Sequence, residues 1–463
     1  MHADLPLLFA RAAQVAADYR RSVGDLPVQP STGRVELDQA FGTPLPTDPT
    51  PAAEVVERLV AAAQPGLVGT VGPRYFGFVI GGASPAASAA DLLAVGWDQC
   101  AYNEVLSPAA AAAERAAGAW LKELLHLPHS ASTGFVTGAQ GANTVGLAIG
   151  RNKVLADAGW DVSRDGLAGA PRVRVVASEE RHATIDRAVQ LLGLGTASIE
   201  AVGTDGNGAI DVNALRLVLD QGDGGPTVVC LQLGNVNTGA CDDLRAAVPI
   251  ARERGAWVHV DGAFGLWAAA SANYAHLVDG VELADSWGTD AHKWLNVPYD
   301  CGLAFCADPS LHAATMSYRA PYLSGSGATS DFVLGDLTPE SSRRARGFAV
   351  WAALQELGTS GVADLVERSC ALARRMADRL AAGGAEIVND VVLNQVLVRV
   401  GDDVETDSAI GRVQRDGTCW VGGTTWRGRR LIRVSVSNAT TTEDDIDVSA
   451  AAILRAARGG SVD

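Results

Sequence analysis

The sequence predicts an α/β protein with a mainly parallel central sheet covered by helices on both faces, followed by a small C-terminal α+β domain. Two observations support this prediction. The middle of the chain alternates short Val-rich segments with amphipathic stretches such as "ATIDRAVQLLG" and "CDDLRAAVPIARERG", which is typical of parallel sheets with crossover helices. After a long helical region from about 342 to 383, the pattern restarts as strand, helix, strand pair and helix.

The predicted elements follow in order along the chain. Residues 1 to about 70 are expected to form helices broken by the Pro-rich segment "FGTPLPTDPTP" at 41–51. Ser107 and Pro108 open the next helix, as its N-cap and first residue. The strand-like segments are "RVRVVAS" (172–178), "SIEAVG" (198–203), "TVVCLQLG" (227–234), "AWVHVDGA" (256–263) and "CGLAFCA" (301–307), then "VLNQVLVRVG", "TCWVGG" and "RRLIRVSVSN" before a closing helix from Thr442. We predict an N-terminal helical segment at 1–80, a large domain at 81–365 and a small domain at 366–463.

Composition narrows the class of protein. A formal net charge of -16 with no basic stripe argues against nucleic acid as a partner, because such binding depends on clustered positive charge. No stretch approaches about 18 uninterrupted apolar residues, so we expect no membrane span. The N-terminus lacks the pattern of a signal peptide. Seven scattered cysteines without CxxC spacing suit reduced thiols in the cytoplasm and predict no metal site.

Two residues at the ends of strand-like segments are candidates for chemistry. Lys293 stands in "TDAHKWLNVP" and is one of only three lysines among 37 basic residues. A partly desolvated lysine is a candidate for Schiff-base formation, although an isolated lysine is more often a surface charge. Asp261 closes the strand "AWVHVDGA", where a buried carboxylate requires a charged partner. A turn or cap role for Asp261 is equally compatible with the following Gly262.

Two further segments resemble parts of a ligand site. In "GFVTGAQGANTVGLAIGRN" a short strand runs through small residues at 137–142 into a helix, so free backbone N–H groups would face an anion. The segment lacks the GxGxxG and GxxxxGK[ST] patterns of nucleotide sites, and a tight turn would need glycine in any case. His182 in "SEERHATIDRA" follows a strand, where a helix-start histidine of no special role would look the same. A lysine, a carboxylate, an anion cradle and a histidine together match pyridoxal phosphate (PLP).

The chain resembles the group II PLP-dependent amino-acid decarboxylases, the family of aromatic amino-acid and glutamate decarboxylases, from about 70 to 450. The most specific match is "HVDGAFG" followed by "DAHKWLNVPYDCG". The resemblance implies PLP fold type I, similar to aspartate aminotransferase, and a homodimer with the active site at the subunit interface. It also implies the cofactor contacts, in which Lys293 carries PLP, Asp261 holds the pyridine nitrogen, Ala263 and His182 cover the two ring faces, and His292, Ala139, Gln140 and Asn143 contact the phosphate.

Some positions depart from the family pattern. Asn235 and Val236 stand where two threonines are usual, one of which normally supports the ring aspartate. We expect Asn235 to donate a hydrogen bond to Asp261 instead. Asp290 replaces a common asparagine beside the cofactor. These changes affect the geometry expected around the phosphate and the aspartate, and not the identity of the cofactor.

The resemblance implies decarboxylation of an L-amino acid to the amine and CO2. Tyr322, in the Gly/Ser-rich segment "APYLSGSG", matches the loop tyrosine associated with protonation of the product, with Tyr299 and Tyr318 as alternatives. The side-chain pocket would draw on Phe76, Phe78, Val79, Cys100 and Tyr102, whose aromatic rings favour an aromatic substrate. Nearby Gln99, Asn103 and Glu104 leave an acidic or other substrate open, and the aromatic residues could also serve only to pack the subunit interface.

Two other hypotheses remain open from the sequence. Aldehyde-forming oxidative deamination uses the same cofactor, but relatives of that kind often carry Phe at the loop tyrosine or Asn at the stacking histidine, and neither change is present here. A PLP-fold protein without activity would be expected to have lost the lysine or the aspartate. Both Lys293 and Asp261 are intact.

Overall fold

The computed structural model of the chain describes residues 4–222, 224–318 and 333–459. They form two compact units, described separately below. The larger unit comprises Ala83–Ala371 and Asn389–Gln395, and the smaller comprises Met1–Gly82, Leu372–Val388 and Val396–Asp463. The N-terminal segment therefore shares a unit with C-terminal residues. The predicted three-part division at 1–80, 81–365 and 366–463 stays a prediction.

Helices make up most of the elements. The α-helices are α1 (Leu5–Ser22), α2 (Arg34–Phe41), α3 (Ala52–Ala63), α4 (Pro85–Trp97), α5 (Pro108–Leu124), α6 (Ala139–Asp157), α7 (Val162–Asp165), α8 (Ala183–Leu191), α9 (Val212–Asp220), α10 (Leu244–Arg252), α11 (Pro309–Met316), α12 (Gly347–Ala382), α13 (Asp403–Asp416) and α14 (Glu443–Ala457). Ser107 caps α5 by accepting a hydrogen bond from the Ala110 N–H. Thr442 caps α14 in a capping box with Asp445. No helix in the described part of the chain is both long and apolar enough to cross a bilayer.

A seven-stranded sheet forms the centre of the larger unit. Its strands are β1 (Ser132–Val136), β2 (Arg174–Ser178), β3 (Ile199–Val202), β4 (Thr227–Gln232), β5 (Trp257–Asp261), β6 (Ser286–Asp290) and β7 (Gly302–Cys306), in the order β1-β7-β6-β5-β4-β2-β3. The run from β6 to β3 is parallel, whereas β7 pairs antiparallel with both β1 and β6. The predicted α/β fold with a mainly parallel sheet is confirmed.

The core of this unit explains why its strands are short and apolar. Every residue of β4, β5, β6 and β7 is buried, as expected for strands covered on both faces. Side chains of α6 such as Leu147 pack with Val175 of β2 and Val228 of β4 in one apolar cluster. The sheet thus places the carboxyl ends of β4, β5 and β6 at one edge, where α/β proteins bind their ligands.

The smaller unit contains a four-stranded sheet. Its strands are β8 (Glu386–Ile387), β9 (Gln395–Arg399), β10 (Gly422–Trp426) and β11 (Arg429–Ser435), in the order β10-β11-β9-β8. The predicted strand "TCWVGG" lies too early, because β10 begins only at Gly422. Trp420 instead exchanges backbone hydrogen bonds with the segment around Tyr75 and Phe76.

Candidate active site

Lys293 lies in the turn that joins β6 to β7. Its Nζ is 2.8 Å from Oδ2 of Asp290, the last residue of β6. The Asp290 side chain is 3% exposed and the Lys293 side chain 19% exposed. Neighbouring Trp294 is buried, and Asn296 donates backbone and side-chain hydrogen bonds to the Lys293 carbonyl. The amine is therefore held inside the protein and directed at a carboxylate.

Asp261 ends β5, the strand next to β6, and is 4% exposed. Its Oδ1 accepts a hydrogen bond of 3.2 Å from the Ala263 N–H. The Ala263 carbonyl in turn accepts a hydrogen bond of 3.0 Å from the Asp290 N–H. Asp261 and Lys293 thus emerge from adjacent strands at the same edge of the sheet, joined through Ala263 and Asp290. This juxtaposition is the one that the sequence pattern predicts.

The start of α6 faces the same turn. The Ala139 N–H donates a hydrogen bond of 2.5 Å to Asp290 Oδ1. A Cβ on the preceding Gly138 would lie 3.2 Å from His292 Cε1 and 3.3 Å from Asp290 Oδ1, so the backbone approaches these side chains closely. The first N–H groups of a helix favour an anion. In this structure the Asp290 carboxylate occupies one of these donors.

His292 is fixed from both sides of its ring. Its Nδ1 accepts a hydrogen bond of 3.1 Å from the Cys301 N–H, so the proton of the neutral ring is on Nε2, 3.5 Å from Asp290 Oδ1. The ring centroid lies 4.3 Å from that of Tyr299. Burial lowers the pKa of His292, and the Asp290 carboxylate opposes that change. His292 is therefore a hydrogen-bond donor at Nε2, next to the start of α6.

His182 follows β2 and is the N-cap of α8, where its Nδ1 accepts a hydrogen bond of 3.2 Å from the Thr184 N–H. Gln140 lies on α6 nearby, and its Nε2 donates to the Thr184 carbonyl at 3.3 Å. The side chains of both residues are half-buried. The predicted contacts of His182 and Gln140 with the cofactor stay predictions.

Two predicted contacts are corrected by the structure. Asn235 does not donate to Asp261, because its Nδ2 donates to the Glu180 carbonyl at 3.0 Å and its Oδ1 accepts from the N–H groups of Asn237 and Thr238. It shapes the turn after β4. Asn143 is fully buried, and both ends of its amide bond protein groups rather than face the cradle. Asn143 is held by the side chains of Thr184 on α8 and His259 on β5.

The predicted substrate residues are divided between the two units. Phe76 and Val79 are buried in the smaller unit, whereas Phe78 is 65% exposed. In the larger unit, Tyr102 is buried and Cys100 is half-buried, with its Sγ 3.7 Å from the Ser341 carbonyl oxygen. Their roles stay predictions.

Of the three tyrosines considered for product protonation, two are described. Tyr299 is 54% exposed and Tyr318 is 45% exposed, and the Tyr318 hydroxyl accepts a hydrogen bond from Ser341 Oγ at 2.9 Å. Tyr322 lies outside the described residues. Within the described ranges, no three His, Cys, Asp or Glu side chains are placed to hold a metal ion.

Sequence analysis overlooked an aromatic stack in the smaller unit. Trp420 lies between Tyr75, at a centroid distance of 4.9 Å, and Phe78, at 5.5 Å. A Cβ on Gly77 would clash with the Trp420 ring, so glycine is required between the two aromatic residues. The alternation of aromatic residues in "RYFGFV" was a usable signal for this stack, but its partner is far away in the sequence.

Comparisons with known proteins agree with this geometry. A family model described as the pyridoxal-dependent decarboxylase conserved domain matches residues 36–400. Tryptophan decarboxylase 1 of Oryza sativa subsp. japonica is 28% identical over 473 aligned positions, covering 96% of this chain and 91% of that protein. Phenylacetaldehyde synthase of a Rosa hybrid cultivar is 28% identical, covering 76% and 70%. The crystal structure of Oryza sativa TDC with PLP and tryptamine superimposes with a TM-score of 0.91 at 25% identity, covering 99% of this chain and 98% of that one.

Proposed function

Because the chain belongs to the pyridoxal-dependent decarboxylase family, we propose that it converts an aromatic L-amino acid into the corresponding amine and CO2. The observation that carries the proposal is the buried contact of Lys293 Nζ with Asp290, at the sheet edge where Asp261 also ends its strand. The similarity to a tryptophan decarboxylase over 96% of this chain supports an aromatic substrate.

The cofactor is pyridoxal 5'-phosphate, and the donor set suits it. When bound, this group links to a lysine amine through its aldehyde and supplies an electron-accepting ring for bond cleavage at the substrate α-carbon. The site offers one primary amine at Lys293, one buried carboxylate at Asp261 and backbone N–H groups at the start of α6. Arginine could not replace Lys293, because its guanidinium stays protonated.

Each residue of the site has a proposed task. Lys293 provides the amine that holds the cofactor. Asp261, buried at 4% exposure, would keep a proton on the ring nitrogen, since an opposite charge in a dry site favours the protonated form. His292 and the Ala139 N–H would bind the phosphate once Asp290 has released that N–H.

Among the proposed contacts for the substrate side chain, Phe78 has the most exposed aromatic ring. Its ring is 65% exposed and stacked on Trp420 at an interplanar angle of 26°. An exposed aromatic ring held by a second aromatic ring offers a flat apolar surface at low entropic cost. If Phe78 contacts the substrate as proposed, such a surface suits a flat aromatic side chain better than an acidic one.

A test of the lysine assignment uses Lys293→Ala and a matched control, Lys153→Ala. Lys153 pairs with Asp157 on the surface of α6, away from the site. After incubation with PLP and reduction with borohydride, we expect a covalent adduct in the wild type and in Lys153→Ala, and none in Lys293→Ala. An adduct retained in Lys293→Ala would refute the assignment.

The product decides between two candidate outcomes. The similarity to a phenylacetaldehyde synthase supports an aldehyde-forming reaction as the second candidate. A panel of aromatic, acidic and basic L-amino acids should be assayed for CO2, amine, aldehyde and ammonia. We expect CO2 and amine in equal amounts from aromatic substrates, and aldehyde with ammonia would establish the alternative. Tyr322→Phe is expected to raise the aldehyde fraction, and Tyr318→Phe and Tyr299→Phe test the two alternative tyrosines in the same assay.

We also propose a homodimer with the active site at its interface. The support is a set of exposed apolar side chains on α1, none of whose residues is buried, including Leu7 and Phe9 at 73% and 51% exposure. Such surface marks an interface more often than a free face. Light scattering on the purified chain should give about twice the mass of 47.9 kDa. The seven cysteines, which are scattered in the sequence and present as thiols, support a cytoplasmic location, which cell fractionation would test.

A further inference from the structure

A chain of hydrogen bonds, called here the relay, leads from the interior of the larger unit to the ring of His182. Its members, in order, are Trp257, Ser286, His259, Asn143 and Thr184. We infer that the relay holds His182 as the neutral tautomer with its proton on Nε2, so that its members are positioning residues. The use of His182 in the reaction rests on the proposed function. The position of the proton on its ring does not.

The direction of the relay is fixed at the His182 end. The backbone N–H of Thr184 can only donate, and it meets His182 Nδ1 at 3.2 Å. This contact favours a lone pair on His182 Nδ1 and so a proton on Nε2 of the neutral ring, and the side-chain members of the relay add to that preference. The Thr184 hydroxyl lies 3.0 Å from the same nitrogen and can donate to the same lone pair, which the two donors then share.

The next two links extend the same direction inward. Thr184 Oγ1 accepts from Asn143 Nδ2 at 3.1 Å, which leaves the hydroxyl proton available for His182. Asn143 Oδ1, which can only accept, lies 3.0 Å from His259 Nε2, so that nitrogen carries the proton. Burial lowers the pKa of His259 to about 3, so this ring is neutral and its Nδ1 is an acceptor.

The inner end of the relay completes the pattern. His259 Nδ1 lies 2.9 Å from Ser286 Oγ, so the serine hydroxyl donates to it. Ser286 Oγ accepts from the indole N–H of Trp257 at 3.1 Å, and an indole N–H can only donate. With the Asn143 amide reversed, the Ser286 proton would have no acceptor among the described residues. Only one direction gives every donor a partner.

The backbone makes room for the relay at two glycines. A Cβ on Gly146 of α6 would clash with the His259 ring, and a Cβ on Gly288 of β6 would lie 2.7 Å from Asn143 Oδ1. His259 and Asp261 are two residues apart on β5, so their side chains face the same side of the sheet, toward α6. The relay is thus built into the elements that also form the site.

A fixed neutral tautomer serves the proposed reaction. The proposed function places His182 against a cofactor ring that Asp261 keeps cationic. A positive charge on His182 would be repelled there, whereas a neutral imidazole stacks on the ring. Its Nε2–H then offers a hydrogen-bond donor on the edge opposite the relay. Holding one tautomer avoids a mixed population in which half of the rings present the wrong atom.

Nitrogen NMR on the cofactor-free protein tests the inference without any assay of activity. With 15N-labelled histidine, a pyridine-type nitrogen resonates far downfield of a pyrrole-type nitrogen, so each ring reports its tautomer. The His182 resonances are assigned by their loss in His182→Gln. We expect wild-type His182 to show a pyridine-type Nδ1 and a pyrrole-type Nε2. A protonated Nδ1 would overturn the inference.

Variants at Thr184 test the outer end of the relay. Thr184→Val keeps the shape but removes the hydroxyl, so the two His182 nitrogen shifts should move toward each other, and Thr184→Ser should restore them. Thr204→Val, which removes a threonine hydroxyl bonded to exposed Glu179, is the matched control and should leave His182 unchanged. If Thr184→Val fails to fold, Thr184→Ala provides the same test. If the His182 nitrogen shifts stay at their wild-type values in both Thr184→Val and Thr184→Ala, a role for the Thr184 hydroxyl is refuted.

Ser286→Ala separates a relay from a purely local contact. Without the Ser286 hydroxyl, His259 is free to protonate at Nδ1, and the Asn143 amide and the Thr184 hydroxyl can then reverse. We expect mixed tautomers at His259 and a smaller change in the same direction at His182, four hydrogen bonds away. If both histidines keep their wild-type shifts, the relay is refuted.

The outcome for activity is separate. In holoenzyme, Thr184→Val should lower kcat by roughly five- to tenfold, the equivalent of about one hydrogen bond, and Thr184→Ser should recover most of the loss. Wild-type protein with the expected His182 shifts but no CO2 release from any aromatic amino acid would refute the proposed function and leave the relay standing.

Discussion

The buried ion pair between Glu114 of α5 and Arg343 gives a sharp prediction for stability. The two side chains are 1% and 2% exposed and form two parallel hydrogen bonds of 2.7 Å. Arg343 Nη1 also lies 3.5 Å from the carbonyl oxygen of Phe135, on the strand that leads into the start of α6. Burial raises the pKa of Glu114, and the contact with Arg343 opposes that rise.

Glu114→Gln keeps the shape of the side chain but leaves the guanidinium buried without its counter-charge. Breaking such a pair from one side costs about 3–5 kcal/mol of unfolding free energy. A unit of roughly 300 residues has an unfolding entropy of about 0.6 kcal/mol/K, so we expect its Tm to fall by about 5–8 °C. Calorimetry on cofactor-free protein measures the shift.

Two controls separate the buried charge from general disruption. The double variant Glu114→Met with Arg343→Met replaces both charges by apolar groups, and it should regain most of the lost stability. Asp279→Asn breaks the exposed pair with Arg245 in the same unit and should leave Tm unchanged within error. If Glu114→Gln melts within about 1 °C of the wild type, or if the double variant is the least stable protein, the reasoning about desolvation is wrong.

Two further predictions concern the cofactor site and pH. Asp290→Asn should bind PLP about five- to tenfold more tightly in an absorbance titration of cofactor-free protein. The reason is that the carboxylate no longer competes for the Ala139 N–H and Lys293 and no longer repels the phosphate. Weaker binding of PLP would contradict this prediction. Burial lowers the pKa of His312 to about 4 and that of His259 to about 3, so between about pH 4 and 6.5 the unfolded chain binds protons that the fold excludes. Stability should therefore be full above pH 6.5 and about 2 kcal/mol lower per histidine at pH 5, and thermal melts that do not change over this range would contradict the assignment.

The sequence predicted the larger sheet well because its signal is local. Fully buried strands are short apolar runs, and the observed bounds of β2, β4, β5 and β7 lie inside the predicted segments. Asp261 and Lys293 could be placed near each other because residues at the carboxyl ends of parallel strands share an edge. These predictions need no knowledge of which side chains finally touch.

The misplaced features depend on contacts between distant parts of the chain. Asn143 of α6 was expected at the phosphate, yet its amide oxygen is bonded by His259, which lies far away in the sequence on β5. Asn235 was expected at Asp261, but the Glu180 carbonyl takes its donor. The strand predicted around Trp420 begins later in the sequence than expected, because the Trp420 indole packs with aromatic residues of the N-terminal segment. Amphipathic pattern carries no information on such partners.

The reversed direction of β7 has a practical consequence for protein engineering. Because β7 runs antiparallel to its neighbours, the backbone stays at the same edge of the sheet from Asp290 through Lys293 to Gly302, and Gly302 packs directly against the backbone of Gly138. A chain break or circular permutation between Asp290 and Gly302 is expected to loosen both the Lys293 amine and the start of α6, where we propose that the phosphate binds. New termini are better tolerated near Gly159 or Gly166, where the surroundings are open.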